Sequence, residues 1–452
     1  MPRMANQQPG QAHAPGVTIA ARLDRLPLTR LHIAVVCLCT AGFAFDFLEV
    51  AMSNILSAVF AQSTDPLTPR WLPLLLGAPY AGAVIGAPLF GRAADRYGRR
   101  PLLVLLMLFL SATSVLAAAS PSLVGLTIVR VLSGLALGGF PPVVITYMTD
   151  VLPPRWRGSV LVIATSVAGL GPLGVIFLVR GLTPLQPLGI DAYRWAFLFG
   201  AVGTGLCGLL SVLLPESPRW LASMGRPIEA DSACRRLEIS AGPRRSQQAA
   251  PATLALVGDE EAATVKPRLA LVFALYALSP WSTVAFPLLT GVVLRGQGID
   301  LQHTLLYIGA ATLGPIVGPL LCASGVDRLE RRTSLILCCV TMSVAVMGFA
   351  YSTSPAWLIT SLFAFNLLAS LYLPVLFLYA SELVPTASRA QVTSTAWALN
   401  RACAAVAPLL LLPLLRFGEA AAMGLVVGST LLVSASLVLA CGVRGKAGQP
   451  VA

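Results

Sequence analysis

Twelve predominantly apolar runs, each near the ~20 residues needed to cross the hydrocarbon of a bilayer, constrain this chain more than any other feature in it. They fall at roughly 30–60, 71–91, 101–119, 122–148, 158–179 and 194–214, and again at 269–294, 301–323, 333–351, 355–380, 391–414 and 419–441. Charged side chains make up 11% of the 452 residues and apolar ones 56%, whereas a soluble domain carries about 25% charged residues. Mean hydropathy is +0.79. The expected class is an all-α polytopic membrane protein with twelve transmembrane helices.

Between the second and third runs lies Gly91-Arg-Ala-Ala-Asp95-Arg96-Tyr-Gly98-Arg99-Arg100. A cation at mid-bilayer costs about 2.5 to 3.5 kcal/mol even on the lenient insertion scale, so this knot belongs in a tight turn outside the lipid. It has a twin, Asp327-Arg328-Leu-Glu330-Arg331-Arg332, related by one offset: 327 − 95 = 332 − 100 = 232. The offset holds far from the knot. Tyr147, Asp150, Pro153 and Arg157 map onto Tyr379, Glu382, Pro385 and Arg389, and Gly77, Gly82 and Gly86 map onto Gly309, Gly314 and Gly318. In each half such glycines let backbones approach closely. The chain therefore reads as two pseudo-symmetric six-helix bundles, the internal repeat of a transporter whose halves rock about a central site. The boundaries expected are a disordered tail at 1–28, a first bundle at 29–214, a polar linker at 215–268, a second bundle at 269–441 and a tail at 442–452.

The net charge of +12 does not point to nucleic acid, which needs a basic face on a folded soluble domain. Lys and Arg concentrate in the tails, the linker and the turns at 92–100, 155–157 and 328–332, while the opposite side holds Arg70, Arg180, Arg194, Arg295 and Arg416. That asymmetry places both termini in the cytoplasm, and a bacterial inner membrane is the expected location. The 9 cysteines show no metal-ligand spacing and lie mostly inside apolar runs, as small packing residues do. No signal peptide, nucleotide-binding glycine loop, zinc cluster or nucleophile elbow is found, so neither an enzyme nor a cofactor is expected. Partners expected are lipid, a small solute and protons, for a monomer.

The first knot resembles the G-x-x-x-D-R-x-G-R-R signature of the major facilitator superfamily, and the likeness covers the chain after its first tail. The twin departs from it, with Glu330 where Gly98 stands. The resemblance implies a latch for the cytoplasmic ends, built here from Asp95, Arg96, Arg99, Arg100, Asp150 and Arg157 and from Asp327, Arg328, Arg331, Glu382 and Arg389. In it, Asp95 would face the N-terminus of the eleventh helix near Gln391. Pro215-Glu216-Ser217-Pro218-Arg219-Trp220-Leu221, Arg130-Val-Leu-Ser-Gly134-x-x-x-Gly138-Gly139, Asp150-x-x-Pro-x-Arg-x-Arg157-Gly158 and Glu382-x-x-Pro385-Thr386 with Asn400-Arg401 resemble its sugar-porter-like and metabolite:H+ symporter branches. Phe45-Asp46-Phe-Leu-Glu49-Val is similar to a first-helix pattern of proton-coupled carriers of organic acids. Gly169-x-Gly171-Pro172-x-Gly174 partly resembles a fifth-helix signature of proton antiporters.

Scaffold features recur at +232, so intramembrane charges that do not recur are the functional candidates. Asp46 maps to Leu278, Glu49 to Trp281 and Arg130 to Leu362, while Arg401 maps back to Gly169. If the first helix leaves the membrane near Ser53 and the fourth enters near Ser122, Asp46 and Arg130 lie at one depth and are expected to pair. Asp46 is then the proton acceptor, with Glu49 as helper three residues on, and Arg130 or Arg401 poises the carboxylate or receives an anion. The alternative for the pair is a structural lock between first and fourth helices. Asn54, Tyr147, Trp281, Asn366, Trp397, Asn400 and Arg401 are expected to line the solute site, with Thr165 and Tyr372 as further polar lining. The function this supports is proton symport of a small organic or aromatic acid anion by alternating access. The alternatives are a facilitative or proton-coupled sugar carrier and a proton-driven efflux antiporter.

Overall fold

The computed structural model describes residues 18–241, 262–325, 330–352, 354–384 and 389–443, and every regular element among them is helical. Lipid offers backbone N–H and C=O groups no partner, so a spanning segment closes its hydrogen bonds within itself, as a helix does. The model has 12 helices long and apolar enough to cross: Arg30–Phe60, Thr68–Tyr97, Arg99–Ala119, Leu123–Val151, Pro154–Leu182, Ala192–Ser211, Pro267–Gly296, Leu301–Leu321, Arg331–Ala350, Pro355–Ala380, Gln391–Leu415 and Ala420–Cys441. An even number of crossings returns the chain to its starting side. That side, on which the described residues begin and end, is the near end below, and the opposite side is the far end. Ile85, Val202, Leu209, Val344 and Leu425 are each more than half exposed, an apolar girdle suited to lipid rather than water.

Most of the knot is helix, and the tight turn expected across it shrinks to one residue. The second span continues through it to Tyr97, and the chain turns on Gly98 alone, whose φ of +111° lies where only glycine goes cheaply. Gly98 closes one helix and opens the next. Glu330, its counterpart, has φ −62° at the start of the ninth span, an ordinary backbone for any residue. The two turns therefore differ, and 326–329 lie outside the described residues.

Three spans are broken, each four residues before a proline. Helices stop at Ala168, Thr283 and Ala311, and Pro172, Pro287 and Pro315 are the residues whose missing N–H leaves those carbonyls unbonded. A fourth proline, Pro280, frees the Tyr276 carbonyl in the same way, and the Asn400 amide of the eleventh span donates to it at 3.2 Å.

The glycines set the helix crossings. A Cβ added to Gly82 or Gly86 of the second span would lie 2.1 Å from the Val131 oxygen or 2.0 Å from the Leu135 oxygen of the fourth. A Cβ added to Gly318 of the eighth span would likewise meet the tenth, at Ser370 Oγ and, 3.1 Å away, at the Leu367 oxygen. Since 318 − 86 = 367 − 135 = 232, the contact itself repeats between the halves. Gly82→Ala is therefore expected to cost about 1–3 kcal/mol by overpacking. Gly174→Ala, where an added Cβ meets nothing within 4 Å, should cost far less. Thermal unfolding of the two variants in detergent compares them.

Two apolar cores hold the bundle. One, with Val35, Phe43, Leu103, Phe140 and Tyr147, stays in the first half at its near end. The other joins both halves: from the first it takes Ile55, Leu75, Val179 and Phe197, all toward the far end, and from the second Phe286, Leu289, Leu305 and Leu411. The halves are thus sealed together at the far end.

Candidate functional site

Glu49 and Arg130 form an ion pair of 2.5 Å, exposed 1% and 0%. Arg130 also donates to the Glu49 carbonyl at 3.1 Å and to Ser53 Oγ at 2.7 Å, and Ser114 Oγ donates to the other Glu49 oxygen at 3.2 Å. The Phe197 ring lies 5.8 Å from the guanidinium. The arrangement ties the first, third and fourth spans together with most of its donors and acceptors matched, which a charge pair withdrawn from water requires.

The expected Asp46–Arg130 pair is therefore replaced by Glu49–Arg130. The first helix does not end near Ser53 but runs to Phe60. Asp46 lies 60 − 46 = 14 residues from the far end of its helix and Glu49 lies 60 − 49 = 11, whereas Arg130 lies 130 − 123 = 7 from the start of the fourth. Glu49, one turn nearer the far end, meets the arginine first.

Asp46 is left outside that pair. It is 3% exposed, and its Oδ1 is buried without a hydrogen-bond partner among the described residues. The charges that act on it are Arg401, of the eleventh span, and Glu49. Arg401 stands 4.2 Å over the Trp397 ring and 6.0 Å from the Tyr80 ring, with no ion pair to a described carboxylate. Gly77 makes this approach possible, since a Cβ there would lie 2.4 Å from the Ala405 oxygen, one turn beyond Arg401. Trp397 packs edge-on to Phe377 at 5.3 Å and to Tyr276 at 6.5 Å, and Tyr276 meets Phe377 at 5.9 Å. A carboxylate from one half thus opposes a half-buried guanidinium from the other, beside three aromatic rings. Nothing in the sequence singled out Tyr80, Tyr276 or Phe377, because aromatic residues in apolar spans look like packing.

Of the residues expected to line a solute site, the structure brings Trp397 and Arg401 together. Asn400 is 3% exposed and ties the eleventh span to the seventh, donating to the Tyr276 carbonyl and, at 2.8 Å, to Ser279 Oγ. Tyr147 is fully buried and donates to the Pro215 carbonyl at 2.6 Å, bracing the fourth span against the chain after the sixth. Both side chains brace contacts between elements. The Asn366 amide donates to the Leu362 carbonyl of its own helix at 2.9 Å, Trp281 packs half-buried on the shared core, and Asn54 is half-buried at the level of Ser53. Among the described residues, no hydrogen bond or ring contact joins these three to the Arg401 cluster.

At the near end the expected latch residues form a network within the first half. Asp95 pairs with Arg99 at 2.5 Å and is 72% exposed, and Gln391 is exposed too. The expected reach of Asp95 to the eleventh helix is thus corrected to a contact within its own turn. Arg99 also nears Asp150 at 3.8 Å, and Asp150 accepts from Ser217 Oγ at 2.9 Å. Arg100 donates to the Val212 carbonyl, Arg157 to the Leu152 carbonyl at 3.0 Å, and Arg96 lies 5.5 Å from the Tyr97 ring. Glu216 serves a different helix N-terminus, that of the third span, accepting from the Arg99 and Arg100 N–H groups at 3.1 and 3.2 Å, and it also accepts from the Ser217 N–H at 2.8 Å. Burial pushes its carboxyl above the ordinary range, against those three donors. In the second half Arg331 pairs with Glu382 at 3.6 Å. Asp327 and Arg328 lie outside the described residues, as does the Arg389 side chain.

The short helix Ile19–Asp24 and the helix Pro227–Ala241 complete this end. Arg22 holds Asp231 at 2.6 Å and Glu238 at 2.8 Å, keeping both carboxyls below their ordinary range. Asp24 pairs with Arg219. Asp24 and Arg22 carried no signal in the sequence, and Glu216 and Arg219 entered it only as members of the Pro215–Leu221 motif, with no role assigned.

A family model described as Major Facilitator Superfamily matches residues 33–408. Among relatives, the putative metabolite transport protein YyaJ of Bacillus subtilis is 26% identical over 392 residues, 84% of this chain and 86% of that protein. The niacin transporter NiaP of Acinetobacter baylyi is 27% identical over 224 residues, 50% of each chain. Among solved structures, the xylose transporter XylE of Escherichia coli, in a partially occluded inward-open conformation, matches with a TM-score of 0.72 at 14% identity. The match covers 92% of this chain and 99% of that one. With twelve spans, a repeated half and a family match over most of its length, the chain belongs to the major facilitator superfamily and is a membrane transporter rather than an enzyme.

Proposed function

We propose that the protein carries a small organic anion, an aromatic carboxylate, together with a proton by alternating access. The observation that carries this reading is the buried, unpartnered Asp46 carboxylate opposite Arg401 across the two halves. Arg401 offers a cation to the solute carboxylate, and Trp397, Phe377 and Tyr276 offer ring faces and edges to a flat body. A second anion beside ionised Asp46 is repelled, so solute binding favours the protonated acid. By linkage, protonation favours the solute equally. Glu49 and Arg130, already matched to each other, serve as the lock between first and fourth spans. Each chain supplies both halves of the site, so a monomer suffices. The crowding of arginine at the near end supports cytoplasmic termini in a bacterial inner membrane.

Arg401→Gln tests the anion role. In liposomes its apparent affinity for an aromatic monocarboxylate is expected to fall about 10- to 100-fold, the effect of losing a charge-assisted hydrogen bond. A sugar is the second reading, favoured by the Pro215 to Leu221 motif. It takes over if wild-type protein accumulates a neutral pentose but no carboxylate.

A further inference from the structure

Among the described residues, two polar contacts join the halves at the far end, and in both a glutamine amide donates to an arginine carbonyl. Gln62, just beyond the first span, and Arg295, at the end of the seventh, grip each other twice. The Gln62 amide donates to the Arg295 carbonyl at 2.8 Å, and the Arg295 guanidinium donates to Gln62 Oε1 at 2.5 Å. Arg180, ending the fifth span, and Gln302, opening the eighth, do likewise. Arg180 Nε donates to the Gln302 carbonyl at 3.2 Å, and the Gln302 amide donates to the Arg180 carbonyl at 2.9 Å. Beneath the first grip, Ser57 of the first span is fully buried against Gly291 of the seventh, where an added Cβ would meet Ser57 Oγ at 2.7 Å.

We propose that these two reciprocal arginine–glutamine clasps hold the far-end gate shut, with no ion pair between the halves among the described residues at that end. A hydrogen-bonded clasp of this kind contributes a modest factor, about fivefold in the open–closed equilibrium. That suits a contact broken and remade in every cycle, because a gate held too firmly leaves its open state unpopulated. A glutamate in place of Gln62 would give up the bond to the Arg295 carbonyl but make the one from the guanidinium charge-assisted, and so hold harder. The inference needs only that the halves separate at this end, so it stands or falls apart from the identity of the solute and from the role of Asp46.

The experiment labels Ser57→Cys, buried while the gate is shut, with a membrane-impermeant maleimide applied to right-side-out vesicles, with wild-type protein as the background. Adding Gln62→Ala is expected to raise the labelling rate about fivefold. Gln302→Ala should raise it less, since Arg180 keeps its bond to the backbone carbonyl of residue 302. Gln62→Glu should label more slowly than the parent and turn over more slowly. Thr290→Cys, buried on the seventh span at 2% exposure, is the second reporter if Ser57→Cys does not fold. Unchanged labelling in both alanine variants, or faster labelling in Gln62→Glu, overturns the proposal.

Discussion

Asp46→Asn is expected to abolish concentrative uptake under a pH gradient while leaving solute exchange intact. A gradient of one pH unit is worth about 1.4 kcal/mol per proton and so supports about tenfold accumulation when one proton travels with each anion. Asparagine keeps the size of the side chain and mimics the protonated acid, so the site still takes the anion at Arg401, but nothing in it gains or loses a proton as it changes sides. The internal concentration should then level at the external one, and exchange of labelled for unlabelled solute should stay within about twofold of the wild type. Continued tenfold accumulation by the variant would remove Asp46 from the coupling. Loss of exchange as well would assign it to solute binding instead.

The largest expected loss of stability comes from dividing the other buried pair. Arg130→Ala leaves the Glu49 carboxylate at 1% exposure with Ser114 as its remaining side-chain donor. Breaking a buried pair by removing one partner costs about 3–5 kcal/mol. Replacing both members by apolar residues of similar volume, as in Glu49→Leu with Arg130→Met, should recover much of that, because no charge is then stranded. Thermal unfolding of the single and double variants in detergent measures both. If Arg130→Ala is as stable as the wild type, the pair is not the lock assigned to it.

Much of the architecture was legible because lipid and glycine leave few choices. Bilayer thickness fixes the length of each apolar run, and the offset of 232 carried the pseudo-symmetry down to individual contacts, as Gly86 on Leu135 and Gly318 on Leu367 show. Arg401 stood out because its counterpart, Gly169, is uncharged. The pairing of Arg130 was not legible, since it depends on how far the first helix continues past Ser53, and one helical turn decides between Asp46 and Glu49. Helix through the knot was missed for a related reason: its arginines show that it leaves the lipid but not where the helix stops, which Gly98 settles. Gln62 and Gln302 gave no signal at all. They are polar residues at span ends, they do not map onto each other at the offset, and only the closed far end brings them to their arginines.

The claim on which the rest depends is that one site takes the anion and the proton together. Adding an aromatic monocarboxylate to weakly buffered, detergent-solubilised protein and following a pH indicator tests it most directly. Solute binding is expected to draw protons from solution in the wild type, and Asp46→Asn should bind the same solute without drawing any. Binding by the wild type with no proton uptake at any pH between 5 and 8 would contradict the account.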